Sequence, residues 1–186
     1  MKRLVLIGSL ATAGALSFAH GAWMIAKAQL AQVLLERAWA RTLHGEQGVK
    51  PWGWADTWTV AKIEFPRQRR SYIVLAGASG RTMAFGPGHV DGTAMPEADG
   101  NCVISAHRDT QFAVLRDVEV GDPIVLEARD GRAVRYRVAE CRIVRKDATS
   151  LLEPSRGRIL TLITCFPFDA IRPGGPLRYV VIARPV

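Results

Sequence analysis

Thr161-Leu162-Ile163-Thr164-Cys165 is followed, thirteen residues after its cysteine, by Arg178 within Leu177-Arg178-Tyr179-Val180-Val181-Ile182. The first stretch is a short apolar run that ends on a thiol, just before Phe166-Pro167. Proline has no N–H for a ladder, so a central strand stops there and the thiol lies at a sheet rim facing a loop. The second stretch is an apolar strand interrupted by an arginine, a charge costly to bury unless it is paired. Upstream, Ser105-Ala106-His107-Arg108-Asp109-Thr110 places a histidine at the end of a third apolar run, Asn101 to His107. Cysteine, histidine and arginine on three strand ends supply a nucleophile, a proton-transfer group and a donor for an oxyanion.

Each of the three residues also has a plainer reading. A lone cysteine usually packs in a core. An arginine in a strand often sits in a structural salt bridge, and a single histidine is more often structural than catalytic. The combination carries the case. Thr164, just before the thiol, could shape the oxyanion site through its backbone or hydroxyl. Asp109 could orient His107, although aspartate at such a position more often serves a turn or a helix cap. His89 lies in a glycine-rich turn and reads as a loop hydrogen bond.

Around these runs the chain reads as many short strands. From Thr59 the hydrophobic period is two, with Ala61, Ile63 and Phe65 alternating with Lys62 and Glu64. Tyr72 to Ala76 is a second strand, and Arg81 to Phe85 one helical turn before Gly86-Pro87-Gly88. Phe112 to Leu115 reads as a short helical segment. Pro123 to Ala128, Asp130-Gly131 and Ala133 to Val144 form a hairpin signal. Val134, Tyr136 and Val138 share one parity and Cys141 and Ile143 the other, which predicts a bulge near Ala139-Glu140. Ile159 to Thr164 and Leu177 to Ala183 supply the last strands. Short strands at this spacing argue for a closed or nearly closed barrel.

The N-terminus differs from the rest. Lys2 and Arg3 precede Leu4 to Ala26, a stretch of 23 residues without a charged side chain. At ~1.5 Å per residue that is long enough for a transmembrane helix, and the leading positive charge favours a cytoplasmic N-terminus. A signal peptide cleaved near Ser17-Phe18-Ala19 is the rival. The apolar run continues past that point through Ala22, Trp23, Met24 and Ile25, which favours an uncleaved anchor over residues 1–26. Leu30, Val33, Leu34, Ala38 and Trp39 then fall at helical spacing, so residues 27–58 read as a stalk helix and a Trp-rich linker carrying Trp52, Trp54 and Trp58. Residues 59–186 form the barrel domain.

Composition bounds the partners. The net charge is +8. Arg129 to Lys146 holds seven bases against two acids, which reads as a solvated strand face because no nucleic-acid motif accompanies it. Cys102, Cys141 and Cys165 form no CxxC pair, so neither a structural zinc site nor any cofactor is expected. Cys102 and Cys141 either pair in an oxidising compartment or stay as buried thiols.

Thr161-Leu162-Ile163-Thr164-Cys165 resembles the TLxTC motif of the sortases, cysteine transpeptidases of bacterial surfaces. His107 and Arg178 match that family's other two active-site residues in order and spacing, and Phe85-Gly86-Pro87-Gly88-His89 and Asn101 to Thr110 are also similar. The resemblance covers about Thr59 to Val186. The stalk, the Trp-rich linker and the compact catalytic part look like the class GN sortases of Gram-negative bacteria. The resemblance implies a mainly β, eight-stranded closed barrel with short helices. It implies an enzyme held at the inner membrane with its barrel on the extracytoplasmic side. It implies cleavage of an LPxTG-like sorting signal through a thioacyl intermediate on Cys165, with Arg178 at the oxyanion and His107 moving protons. The partners it implies are a client protein encoded nearby and an acceptor amine; the chain itself shows no glutamate pattern for a calcium site such as some sortases have, and no metal site is expected. A cysteine hydrolase and a non-catalytic membrane-tethered binding barrel are the alternatives.

Overall fold

The protein is described here by a computed structural model covering residues 2–186, apart from the side chains of residues 2, 4–6, 8, 9 and 11. A long helix α1 (Lys2–Leu43) precedes the strands β1 (Thr59–Phe65) and β2 (Arg70–Ala76), a single-turn α2 (Gly80–Met83), β3 (Gly88–His89) and β4 (Asn101–Ser105). Then come β5 (Pro123–Ala128), β6 (Ala133–Arg145), β7 (Ile159–Phe166) and β8 (Leu177–Pro185). Tight 3-10 segments, Gln111–Asp117 and Thr149–Leu152, lie in the connections before β5 and β7.

The strands close into one barrel in the order β1-β2-β3-β4-β7-β8-β6-β5, with β5 returning to β1 through Ala61 opposite Ala128. Alternation fills it. Ala61, Ile63 and Phe65 of β1 point into the core, as their parity predicts, beside Leu160 and Leu162 of β7 and Val181 and Ala183 of β8. The β5–β6 hairpin turns through Gly131, and β6 changes register between Val138 and Glu140, where the parity switch predicts a bulge. That irregularity lets Tyr136, Val138 and Cys141 all face the interior side despite their mixed parity.

The glycine-rich turn holds a strand that hydrophobic periodicity does not reveal. β3 has two residues, too few to show a period, yet it bridges β2, which runs parallel to it, and β4, which runs antiparallel. Gly88 is required there. A Cβ on it would stand 2.3 Å from the carbonyl oxygen of Gly77, a clash with backbone.

Helix α1 runs on without a break from the expected anchor into the expected stalk. Its C-terminal part lies against the barrel instead of standing clear of it. The buried stripe is Ala31, Leu35, Ala38, Trp39 and Thr42, and Leu35 and Trp39 form a second small core with Ile73 and Leu75 of β2. Of the residues that fall at helical spacing in the stalk, Ala38 and Trp39 are buried, whereas Leu30 and Val33 are 58% and 43% exposed. Leu30, Val33 and Leu34 repeat at helical spacing too, but the neighbouring arc carries the small Ala31 and Ala38, which let the helix approach the sheet closely. A hydrogen bond of 2.7 Å between the hydroxyls of Thr42 and Thr59 and one of 3.1 Å from Gln32 Nε2 to the Phe85 carbonyl complete the joint. Trp52 packs edge-on against Phe85 at 4.7 Å, whereas Trp54 is 87% exposed.

The first part of the expected Leu4–Ala26 transmembrane segment falls on side chains outside the described residues. Among the described residues no helix is long and apolar enough to cross a membrane. The described part of this segment does leave Leu16, Phe18, Trp23, Met24 and Ile25 exposed.

Leu35→Ala should lower unfolding stability by about 2–5 kcal/mol, the usual cost of emptying a sealed leucine site. Denaturant melts followed by circular dichroism measure it, and a loss under about 1 kcal/mol would mean that the helix is not a structural part of the barrel.

Candidate active site

The site is assembled by strand register. β7 and β8 are antiparallel, and Cys165 is directly opposite Arg178. Directly paired residues share a face of the sheet. The partners on the other side, Leu162 with Val181 and Leu160 with Ala183, fill the core, so Cys165 and Arg178 belong to the outer face. β4 runs parallel to β7 with Ser105 beside Ile163, and the Ala106 N–H continues the ladder to the Ile163 carbonyl at 3.3 Å. Past that point β4 has ended, and His107 follows Ala106 as Cys165 follows Thr164. Cys102, Ile104 and Ala106 face the core, which puts His107 on the outer face too. Two of the three residues singled out from sequence, Cys165 and Arg178, are thus side by side on β7 and β8, and His107 stands just beyond the end of the adjoining β4.

Thr164 links β7 to the segment after β4. It is buried, and its hydroxyl donates to the Ala106 carbonyl at 2.8 Å. The residue before Cys165 is therefore tied to the residue before His107. Its hydroxyl serves this cross-strand link, a different task from the oxyanion role considered from sequence. Asp109 is exposed, and no hydrogen bond or ion pair links it to His107.

Among the described residues no carboxylate pairs with Arg178, so the salt-bridge reading of this arginine does not apply. Its Nη1 donates to the carbonyls of Gly175 at 2.9 Å and Leu177 at 2.8 Å, which fixes the guanidinium at the end of the β7–β8 loop. A guanidinium has five N–H donors. Among the described residues the donors on Nε and Nη2 have no partner, which leaves them for an anion.

The other cysteines are structural. All three thiols are free, so Cys102 and Cys141 do not pair. Burial pushes the Cys102 thiol up to about 12, and burial also raises that of Cys141. His89 is buried, with Nε2 2.9 Å from the Ala94 carbonyl, the loop hydrogen bond expected of it.

A groove lies on the outer face next to the first half of β7 and reaches Thr161, four residues before Cys165; none of Cys165, His107 and Arg178 lines it. It has a volume of about 450 Å³ and is lined by Asn101, Thr161, Ile182 and Arg142 from the sheet and by Leu151 and Glu153 from the β6–β7 connection. Asn101 ties that connection down, donating to the carbonyls of Leu151 at 2.8 Å and Glu153 at 3.2 Å while accepting from the Thr161 hydroxyl at 2.7 Å. On the other side of the thiol, the β7–β8 loop is held by Arg108. This residue is only 6% exposed, and its Nη2 donates to the carbonyls of Ala170 at 2.7 Å and Arg172 at 3.1 Å. Phe166, Phe168 and Tyr179 pack on one another beside it, with centroids 5.2–6.2 Å apart. Neither Asn101 nor Arg108 stands out by sequence pattern. Their partners are backbone carbonyls about 50 and 60 residues away.

Residues 63–186 match the sortase domain family, two-thirds of the chain. The chain belongs to the sortase family. Members of this family are cysteine transpeptidases that act on proteins bearing a sorting signal and on amine acceptors, generally outside the cytoplasm and in association with a membrane. Sortase D of Bacillus subtilis is 30% identical over 125 residues, 67% of this chain and 62% of its own length, so this chain spans less than two-thirds of that relative. Sortase A of Corynebacterium diphtheriae superposes with a TM-score of 0.63 at 30% identity, over 72% of this chain and 63% of that one. The catalytic domain of B. anthracis SrtD gives 0.59 at 32% identity, over 69% and 87%. The closed eight-stranded barrel expected from the sequence is thus the barrel of this family.

Short treatment with iodoacetamide near pH 8 should alkylate Cys165 first and leave Cys102 intact. The thiolate is the reactive form, and a thiol titrating near 12 stays protonated there. Peptide mapping by mass spectrometry reads the order, and early loss of Cys102 would contradict its sealed position.

Proposed function

We propose that this sortase cleaves an LPxTG-like C-terminal sorting signal and transfers the client protein to an amine through a thioacyl intermediate on Cys165. The observation that supports the reading is the direct pairing of Cys165 with Arg178 across β7 and β8, with His107 two residues past the end of the neighbouring β4. The Cys165 thiolate attacks the carbonyl carbon of the signal's threonine. The developing oxyanion is met by the free donors of Arg178, whose position the Gly175 and Leu177 carbonyls hold. His107, as imidazolium, protonates the departing glycine amine, and the neutral imidazole then accepts the proton of the incoming amine. The Thr164–Ala106 hydrogen bond supports the spacing of these two groups.

We assign the protein to the inner membrane, with the N-terminus of α1 inside and the barrel outside the cytoplasm. The exposed Leu16, Phe18, Trp23, Met24 and Ile25 support membrane association, and Trp23 with Lys27 5.0 Å from its ring suits an interfacial position. Support for the class GN subgroup is confined to the stalk and the Trp-rich linker, and with it goes the expectation of a dedicated client encoded nearby.

Incubation of the protein with an LPxTG-type peptide and an added amine should give the amide-linked product. Free acid alone in the presence of the amine would instead make this chain a hydrolase. Cys165→Ala should abolish thioacyl formation. Arg178→Ala should lower kcat/KM for cleavage by about 10²–10³-fold, and a loss below tenfold would reduce the arginine to a structural part.

A further inference from the structure

The corner between α1 and the barrel holds a groove of about 570 Å³. One wall is a single face of α1, with Trp23, Lys27, Leu30 and Leu34 at helical spacing. The other wall is the linker, where Trp52 packs on Phe85 and Trp54 is almost fully exposed. Single exposed apolar side chains are normal on any domain, but a concave face that gathers several marks a partner site. The proposed reaction uses none of it. No residue of the groove belongs to β4, β7, β8 or the loop after Cys165.

The adjoining part of α1 indicates what covers this face. Met24 and Ile25 are exposed beside the groove, and Leu16 and Phe18 are exposed before it. Lys27 is the first charge after Leu4 to Ala26. In the membrane assignment above, the hydrocarbon layer ends near Lys27, so the groove opens at the bilayer surface. Trp23, one helical turn before Lys27, then lies at the level that indole rings favour. The charges of the groove suit an anion. Among the described residues the Lys27 ammonium group forms no ion pair, and its contact is the Trp23 ring at 5.0 Å. Arg81, on the opposite wall, pairs with Asp56 at 3.2 Å, yet its side chain is 80% exposed. Two cations therefore face one acid across an apolar trough.

We infer that this groove binds an anionic phospholipid, with the phosphate on Lys27 and Arg81 and acyl carbon against Leu30, Leu34 and Trp54. Cations near a bilayer surface attract anionic lipid, and apolar side chains at that level gain from contact with the acyl boundary. The inference rests on the membrane assignment above and goes beyond it, from a helix in the bilayer to a lipid site on the folded domain. Leu35 and Trp39 already join α1 to β2. A lipid held in the corner between helix and linker therefore fixes which face of the barrel meets the bilayer, and with it the direction in which the Cys165–Arg178 edge points.

The full chain in phosphatidylcholine nanodiscs, with a rising share of phosphatidylglycerol brominated on its acyl chains, tests this. Bromine quenches an indole at contact range, and the difference between the native chain and Trp54→Phe isolates Trp54 from the other tryptophans. Brominated phosphatidylglycerol should quench Trp54 more than brominated phosphatidylcholine at the same share. Lys27→Gln should raise the share needed for half of the quenching about fivefold, the scale of one cation lost near an anionic surface. Equal quenching by the two lipids, or a midpoint that Lys27→Gln leaves in place, overturns the inference. So does a Trp54 that neither lipid quenches; if aqueous iodide cannot reach it either, a protein surface covers the groove instead. Flotation of the chain with vesicles on a sucrose gradient separates the two levels. A chain that stays in the dense fraction overturns the membrane assignment and the lipid site together, whereas a chain that floats with Trp54 unquenched overturns the lipid site alone.

Discussion

The antiparallel pairing of Cys165 with Arg178 is the constraint on which the rest of the site depends. An antiparallel ladder sets directly opposite residues side by side on one face, so a thiol and a guanidinium thirteen residues apart become neighbours by register alone. A slip of one residue would send one of them into the core. The register is held by what lies beneath it. Leu160, Leu162, Val181 and Ala183 occupy the opposite face of the same strands and are sealed from water, so the packing that stabilises the barrel also specifies which side chains meet outside it.

His107 enters this arrangement by a weaker tie. Beyond Ser105 the β4 strand ends, and only the Ala106 N–H and the Thr164 hydroxyl still connect the two chains at that level. His107 thus stands just past the frayed end of a ladder, on a segment that continues at once into Arg108. Because Arg108 grips the carbonyls of the β7–β8 loop, the histidine segment and the loop following the cysteine are held as a unit. The same loop ends on the carbonyls that orient Arg178. Rigid strands place Cys165 and Arg178, and backbone-directed hydrogen bonds from Arg108 and Arg178 fix the loop between them.

The long helix adds a further level. It carries two adjacent apolar arcs, one buried on β1 and β2 and the other exposed next to Trp54. Composition cannot say which arc packs, since both are hydrophobic and both repeat at helical spacing. The decision falls to shape: alanines at 31 and 38 admit the sheet, and the bulkier Leu30 and Val33 stay outside. A helix joined to the barrel in this way restricts how the catalytic rim is oriented relative to whatever holds the helix's first half.

Much of this was legible in the chain itself. Alternation assigned β1, the hairpin and its irregularity near Glu140, and the last two strands, because a half-buried strand must alternate and a bulge must shift its parity. The catalytic candidates Cys165, His107 and Arg178 were visible as polar residues at or inside apolar runs, where their presence needs a reason. β3 was not, because two residues cannot show a period. The arc of α1 that packs, the cross-strand task of Thr164 and the tethers made by Asn101 and Arg108 were hidden as well. Each depends on a partner remote in sequence, most often a backbone carbonyl, and carbonyls are identical at every residue. Side-chain pattern determined the strands and the reactive groups, and only the closing of the barrel decided which of them meet.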